Sequence, residues 1–328
     1  MLYVQNQGLT DPRLNLAIEE HLLRNFDIDE PILFFYINEP SVIIGRNQNV
    51  FEEIDPDFVK ANGIHMVRRL SGGGAVYHDL GNLNFSFITQ GKGDLHKFAK
   101  VVEPIIKVLR KIGVEAEFRG KSDIFAAGKK ISGNAQYSTA GRMFSHGTLL
   151  FDTDLDSLSK ALTPKNVKIE SKAVQSIRNH VVNIRDLLAE PMSIDDLQQA
   201  LLRGLFNTEE IPTFTLTTSD WKQIQQISVE RYQQWDWNYG RSPKFNVSRS
   251  QSFPFGKIDV QIEVEDGRIK AITFPGESAG KLKMRDLGKS LIGLRYDPTE
   301  VAQWLETVDL QPYSGQLDKA IILGLLFG

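Results

Sequence analysis

Residues 68–87 read RRLSGGGAVYHDLGNLNFSF. Arg68 and Arg69 precede Ser71 and three glycines, Gly72, Gly73 and Gly74, and apolar and polar residues then alternate as in a strand. Glycine loses more backbone freedom on ordering than any other residue, so an ordered triplet needs a role that offsets the loss. Bare amides in such a loop can converge on an anion, and arginine suits phosphate through paired hydrogen bonds. Taken alone, the stretch also reads as a flexible turn beside a solvated charge pair.

The familiar nucleotide signatures do not account for it. Gly-Lys-Ser occurs at Gly120–Ser122 and Gly288–Ser290, but the glycine a P-loop needs five positions earlier is Glu115 in one case and Lys283 in the other. A dinucleotide fingerprint from Gly72 and Gly74 would need a small residue where Tyr77 stands.

The chain around this stretch has 328 residues and a formal charge of −3, with 41% hydrophobic and 24% charged residues. That is an ordinary globular composition, large enough for one large domain or two unequal ones. No basic arm or face points to nucleic acid. The longest terminal apolar run, AIILGLLFG, is shorter than the roughly 20 residues a membrane span needs. The opening MLYVQNQGLTDPRLN lacks the regions of a signal peptide, so a cytoplasmic, monomeric protein is expected. There is no cysteine, which excludes disulfides, thiolate metal sites and a cysteine nucleophile. None of the six histidines forms an H-x-x-x-H pair, so a zinc site is not expected.

TDPRLNLAIEEHLLRNF reads as a helix with Thr10 or Asp11 as cap, Pro12 in the first turn, and Leu14, Ala17, Ile18 and Leu22 on one face. ILFFYI and SVIIGR read as strands around the turn NEP, and NFSFIT and HGTLLF as further strands. KFAKVVEPIIKVLRKIG reads as a helix bent at Pro104 and ended by Gly113. Without strict βαβ alternation, a mixed α/β, that is α+β, catalytic domain with mixed sheets and flanking helices is expected. SIDDLQQALLRGLF opens with a capping-box pair, Ser193 and Asp196, and DWKQIQQISVERYQQW continues the helical stretch. Asn238–Asn246 reads as a linker. KIDVQIEVEDGRIKAITF is a hairpin about an Asp-Gly turn, and PTEVAQWLETV and LDKAIILGLLF read as helices. The expected division is residues 1–245 as a catalytic domain and 246–328 as a small α+β accessory domain.

Two more constellations matter. In AAGKKISGNAQYS, residues 126–138, Lys129 and Lys130 lie between Gly128 and Gly133 after a tight hairpin turn. Alternation through Lys130, Ile131 and Ser132 puts Lys130 and Ser132 on one side of a strand and Lys129 toward solvent. In FSHGTLLF, His146 and Gly147 head a strand. Singly, these read as an exposed hairpin lysine and a core-edge histidine.

Together, RRLSGGGAVYHDLGNLNFSF, GKKISGNAQ and HGTLLFDTDL, in this order and spacing, resemble the lipoate–protein ligase family. NLAIEE, IIGRNQN and VVNIRDLL fit it as well, and FGKIDVQIEVEDGRIKAITFPG is similar to the accessory domain of its two-domain bacterial type. The resemblance implies a biotin-ligase-like catalytic core that activates lipoate with ATP to lipoyl-AMP, releasing pyrophosphate. The acyl group then passes to a lysine of lipoyl domains, in E2 subunits of 2-oxoacid dehydrogenases or the glycine-cleavage H protein. It assigns Arg69, Gly74, Ala75, Val76, Tyr77, Lys130 and Asp123 to ATP, and Ser71, Gly72, Gly73, His78, His146 and Lys130 to lipoate. Lys130 is the catalytic residue, and magnesium is expected with the triphosphate near Asp123. A carboxylate and a triphosphate repel each other, and fixed cations and aimed amides remove that repulsion. The strands ILFFYI and NFSF would line a tunnel for the acyl chain, although each side chain also reads as core.

One departure stands out: the family often has Gly-Arg-Asn-Asp where this chain has Gly120, Lys121, Ser122 and Asp123, and lysine does not replace a bidentate arginine. Relatives that pass the acyl group through a cysteine thioester are excluded by the cysteine count, and the Gly-Arg-rich loop of biotin ligases is missing. Two other readings are a lipoate-activating enzyme that needs a separate transferase and a non-catalytic binder of lipoate or lipoyl proteins.

Overall fold

The computed structural model describes residues 1–25, 29–91, 93, 95–139, 141–164, 168–171, 180–254, 256–275, 281–310 and 318–328. Phe26 of the first expected helix, Phe255 and Gly276 of the C-terminal motif and Leu317 of the last expected helix lie outside them. The chain forms two compact units. The first comprises residues 1–46, 55–163 and 176–234, and the second 47–54, 164–175 and 235–328. The expected boundary at 245 thus falls within the second unit, as does the expected linker Asn238–Asn246.

The strands in chain order are β1 (Leu2–Gln5), β2 (Ile32–Ile37), β3 (Ser41–Ile44), β4 (His65–Arg68), β5 (Val76–His78) and β6 (Asn82–Gln90). They continue with β7 (Glu117–Arg119), β8 (Asp123–Ala126), β9 (Lys129–Thr139), β10 (Arg142–Leu150), β11 (Lys168–Ser171) and β12 (Thr213–Thr215). The last three are β13 (Phe245–Phe253), β14 (Gly256–Glu265) and β15 (Arg268–Thr273). The helices used below are α1 (Pro12–Arg24), α2 (Pro56–Ala61), α3 (Phe98–Lys111), α4 (Leu155–Ala161), α5 (Ile194–Phe206) and α6 (Thr218–Ile227).

The first unit is built on an eight-stranded mixed sheet in the order β12-β1-β2-β6-β10-β9-β8-β7, with a three-stranded sheet β4-β3-β5 beside it. The NEP turn therefore does not close a hairpin: β2 joins the large sheet and β3 the small one. One face of the large sheet carries Leu33, Phe35, Leu83, Phe85, Ile124 and Ile131, packed against apolar positions of α3 and α5. Those positions, Val102, Ile105 and Leu109 on α3 and Leu197 and Leu201 on α5, recur at helical spacing. α3 runs on through Pro104, and Gly113, at φ +91°, follows its end. The Ser193–Asp196 capping box opens α5 as expected.

The opposite face bears β2 Phe34 and Tyr36, β6 Asn84 and Ser86, and β10 Phe144 and His146, in cross-strand register. Helix α1 packs on this side against β4, β6 and β10. Asp11 caps α1 through the Arg13 amide, and Pro12 occupies its first position. Glu19, Glu20 and His21 are buried along with Ala17, Ile18 and Leu22 of the expected apolar stripe, while Leu14 is half-buried, so α1 is enclosed nearly all round. Each finds a partner at depth: Glu19 bonds His146, Glu20 bonds Arg24 and Tyr232, and His21 bonds Asp220.

In the second unit, β11, β13, β14 and β15 form an antiparallel sheet. The Asp-Gly hairpin is present, with Asp266 at φ +51° and Gly267 at φ +69°. Sequence periodicity pointed only to β14 and β15; β11 joins from a segment far earlier in the chain.

Candidate functional site

The glycine loop joins β4 to β5, and its conformation is set by Arg69. The Arg69 guanidinium is buried. Its Nε donates to Ser71 Oγ at 2.9 Å, one terminal nitrogen donates to Ile43 O at 2.9 Å, and the other to Gly72 O at 2.8 Å and Gly74 O at 2.7 Å. Four of its five N–H groups are thus used, three inside the loop and one on β3. Burial pulls its pKa down to about 10, which leaves it charged at neutral pH. The expected bidentate fork toward phosphate is therefore not on offer here, because Arg69 faces inward. Arg68 is buried too, donating to Gly45 O at 2.9 Å. Neither arginine belongs to a solvated pair.

With the Gly72 and Gly74 carbonyls drawn onto Arg69, the Gly73 carbonyl turns toward Gly45. A β-carbon added at Gly45 would lie 2.1 Å from Gly73 O. All three carbonyls of the triplet point into the protein. Among the described residues, the N–H groups of Gly72, Gly73 and Gly74 have no acceptor, and Gly73 is exposed. Gly73 also adopts φ +96°, which favours glycine. Across a trans peptide each N–H points opposite the preceding C=O, so the inward carbonyls of Gly72 and Gly73 turn the Gly73 and Gly74 N–H groups outward above a buried cation, an arrangement suited to an anion.

The lysine motif lies on β9. Ala127 (φ +49°) and Gly128 (φ +73°) make the tight turn from β8. A bulge follows: Phe125 pairs with Lys130, but Ile124 pairs with Ser132. The extra residue breaks the expected alternation. Ser132 is buried beside core Ile124, while Lys130 shares its side with Asp123 and Gly133. Lys130 Nζ lies 3.1 Å from Asp123 Oδ1, each side chain about one-fifth exposed at 21%. The lysine lies over Gly133, where an added β-carbon would be 3.0 Å from Nζ. Its backbone is clamped from the other side: Lys130 N donates to His180 O at 2.9 Å, and Val182 N donates to Lys130 O at 3.1 Å. Lys129 is exposed, as expected.

Loop and lysine meet on one strand. A β-carbon at Gly73 would lie 4.0 Å from the Ala135 methyl, and Ala135 is two residues along β9 from Gly133, about 7 Å. Arg46, absent from the sequence-based site, lies here as well. It is exposed, with its guanidinium 5.5 Å from the Tyr137 ring centroid. Its only sequence signal was its place in IIGRNQN.

The remaining expected residues fall around these two features. Tyr77 is buried, and burial raises its phenol to about 12, with the Asp79 and Asp154 charges adding to the rise. Its hydroxyl bonds Ser157 on α4, so only its main chain faces the loop side. Val76 pairs with Ile43 in the small sheet, and Ala75 lies between it and the triplet. Ser122 offers its carbonyl to Asn134 Nδ2 at 2.7 Å, and Lys121 is exposed. Asp123 is the partner of Lys130. Among the described residues, no group of three or more His, Cys, Asp or Glu could hold a metal ion.

His78 is buried at the end of an amide chain in which Asn6 donates to Asn15, Asn15 to Asn38, and Asn38 to His78 Nδ1 at 2.9 Å. That bond places the imidazole proton on Nε2, which has no partner among the described residues. Burial first, then the charges of Arg69 and His146, push the His78 pKa down to about 3. An unfolded histidine takes its proton near pH 6.5. Between these values the unfolded chain binds more protons, so the His78 contribution to stability is whole above about pH 6.5 and is lost as pH falls toward about 3. The urea midpoint should therefore fall more steeply from pH 6.5 to 4 in the parent than in His78→Asn, as followed by tryptophan fluorescence. Equal slopes would contradict this.

A buried cation under free amides, with a second cation on the adjoining strand, defines a site built to bring anions together. The lipoyl protein ligase A/B catalytic domain matches residues 11–206, and the bacterial lipoate protein ligase C-terminus matches residues 242–326. The chain is 50% identical to the lipoate-protein ligase LplJ of Bacillus subtilis, over all of both chains. Among solved structures, a lipoate-protein ligase A bound with ATP is 33% identical with a TM-score of 0.63, covering 73% of this chain and 99% of that one. A bi-partite lipoate protein ligase of Thermoplasma acidophilum, studied with its E2 lipoyl domain, is 32% identical with a TM-score of 0.63, covering 73% of this chain and 96% of that one. This chain belongs to the lipoate–protein ligase family.

Proposed function

We infer that the chain couples lipoate to acceptor proteins at the cost of ATP, and that Lys130 and the glycine loop carry the first step. The supporting observation is their shared seat on β9, with Lys130 Nζ over Gly133 and Gly73 against Ala135. A lipoate carboxylate oxygen attacks the α-phosphorus of ATP; the new P–O bond forms as the bond to pyrophosphate breaks. The acceptor lysine amine then attacks the acyl carbonyl of lipoyl-AMP, AMP departs, and an amide remains. The outward amides of Gly73 and Gly74 hold phosphate oxygens. Lys130, released from Asp123, bridges the carboxylate and the phosphate and spreads the charge that develops between them. Arg69 enters through the loop it holds.

Magnesium commonly binds through one or two carboxylates together with substrate phosphates. Asp123 can supply one carboxylate, and the ion would neutralise the triphosphate. We place the acyl chain beside His78 of the small sheet and Ser86 of the large one. The His78 Nε2 and Ser86 Oγ atoms are buried without partners among the described residues. Such groups are costly to leave unpaired, which favours a site that a ligand completes.

Acceptors of the lipoyl-domain type, in E2 subunits and the glycine-cleavage H protein, fit this reading. The bi-partite Thermoplasma ligase covers only 73% of this chain, whereas this chain also carries the C-terminal match. That difference favours one chain performing both steps. The test is lipoate-dependent exchange of labelled pyrophosphate into ATP, followed by transfer to an isolated E2 lipoyl domain. Exchange with transfer is the expected result. Exchange without transfer would assign transfer to another protein, and no exchange would leave a binder. Among the described residues, no helix is long and apolar enough to cross a membrane.

A further inference from the structure

The glycine loop rests on a chain of hydrogen bonds that begins in a different element. Glu19 on α1 meets His146 Nδ1 at 2.9 Å and 3.1 Å, one contact from each carboxylate oxygen. His146 Nε2 on β10 lies 2.7 Å from Ser71 Oγ. Ser71 Oγ in turn accepts from Arg69 Nε, and Arg69 holds the carbonyls of Gly72 and Gly74. All four side chains are buried.

The direction of this chain follows from its ends. Arginine can only donate and a carboxylate can only accept. With a neutral imidazole, Ser71 Oγ accepts from Arg69 and gives its own proton to His146 Nε2. His146 then carries its proton on Nδ1 and donates it to Glu19. The spacing resembles that of a serine–histidine–carboxylate triad, but Ser71 is fully enclosed and already bonded to Arg69. It cannot attack a substrate, so the set acts by holding a geometry.

We propose that Glu19 and His146 are positioning residues: through Ser71 they fix the orientation of Arg69 and so keep the three glycine carbonyls inward and the amides free for ATP. Removing the Glu19 acceptor lets the imidazole turn or change tautomer. Ser71 then loses its acceptor, and the Arg69 Nε–H bond loosens. Once Arg69 can rotate, nothing draws the carbonyls of Gly72 and Gly74 away from the anion. The proposal rests on the ligase reading for its kinetic arm alone.

The experiment compares Glu19→Ala, His146→Ala, Ser71→Ala and Glu19→Gln in the full chain. The first readout needs no ligand: hydrogen exchange at the Arg69 Nε–H and at the Arg46 and Arg69 amides, which bond Ser71 O and Ile44 O. The second is KM for ATP and for lipoate in pyrophosphate exchange. In the three alanine variants, exchange at these sites should quicken at least about tenfold, and KM for ATP should rise at least about tenfold. KM for lipoate should rise less. Glu19→Gln keeps an acceptor for Nδ1–H and should restore protection and KM for ATP toward parental values. Should Glu19→Ala or His146→Ala fail to fold, Ser71→Ala still breaks the chain at its centre with the loss of one oxygen. Unchanged exchange, or a rise confined to KM for lipoate, would overturn the proposal and make His146 and Glu19 a wall of the acyl site. A parent without pyrophosphate exchange would refute the ligase reading and leave the hydrogen-exchange result to be judged separately.

Discussion

Lys130→Met should lower lipoate-dependent pyrophosphate exchange by about 10³-fold or more, the scale on which an aimed charge acts at a developing anion. The melting transition should hardly move. Methionine keeps the apolar stem over Gly133 and removes only the ammonium. The pair it breaks, with Asp123 at 3.1 Å, is partly exposed, and such pairs contribute little to stability. The bonds that clamp this residue, to His180 O and from Val182 N, are main-chain bonds and survive the substitution. Lys130→Arg should not rescue the reaction. Arginine spreads its charge over a planar fork rather than a compact ammonium, so it cannot reproduce the point charge between carboxylate and phosphate. Parental turnover in Lys130→Met would mean that the charge between the reactants comes from elsewhere, with Arg46 the nearest candidate.

Gly45→Ala is the second variant with a large expected effect, although Gly45 lies outside the glycine triplet. Its new methyl would stand 2.1 Å from Gly73 O and 3.2 Å from an Arg69 terminal nitrogen. The first obstacle is backbone, which cannot swing aside as a side-chain end can. The Gly73 carbonyl must retreat, and with it the amides that face the anion. KM for ATP should rise by at least about tenfold, and the protein should lose about 1–3 kcal/mol of stability, the usual cost of overpacking. Gly72→Ala supplies the contrast: a β-carbon there meets nothing within 4 Å, so its melting temperature should stay near the parental value. Calorimetry on the two variants checks the pair. A larger loss in Gly72→Ala than in Gly45→Ala would contradict the close approach of Gly45 and Gly73.

Much of the local structure was legible because its causes are local. Asp11 and Pro12 start α1, Ser193 and Asp196 box the start of α5, Gly128 turns β8 into β9, and Asp266-Gly267 turns β14 into β15. Each depends on atoms a few residues apart. The absence of cysteine removes thioester chemistry, and the glycine and lysine motifs together point to anion activation.

Other features depended on groups distant in the chain. Alternation alone placed Ser132 beside Lys130. The bulge on β9 paired Ser132 with Ile124 instead and gave Lys130 the company of Asp123 and Gly133. Two adjacent arginines read equally as phosphate ligands or solvated charges; folding buried both, because the carbonyls of Ile43, Gly45, Gly72 and Gly74 were there to receive their N–H groups. Glu19, which lies 52 positions before Ser71 and 127 before His146 in the numbering, gave no sign of its role until α1 was packed onto the sheet. Residue types and short spacings determined which chemistry this protein could perform. Tertiary structure decided which cation stays partly accessible beside the loop and which one is buried to hold it, because a charge's role depends on the partners that folding brings within hydrogen-bond reach.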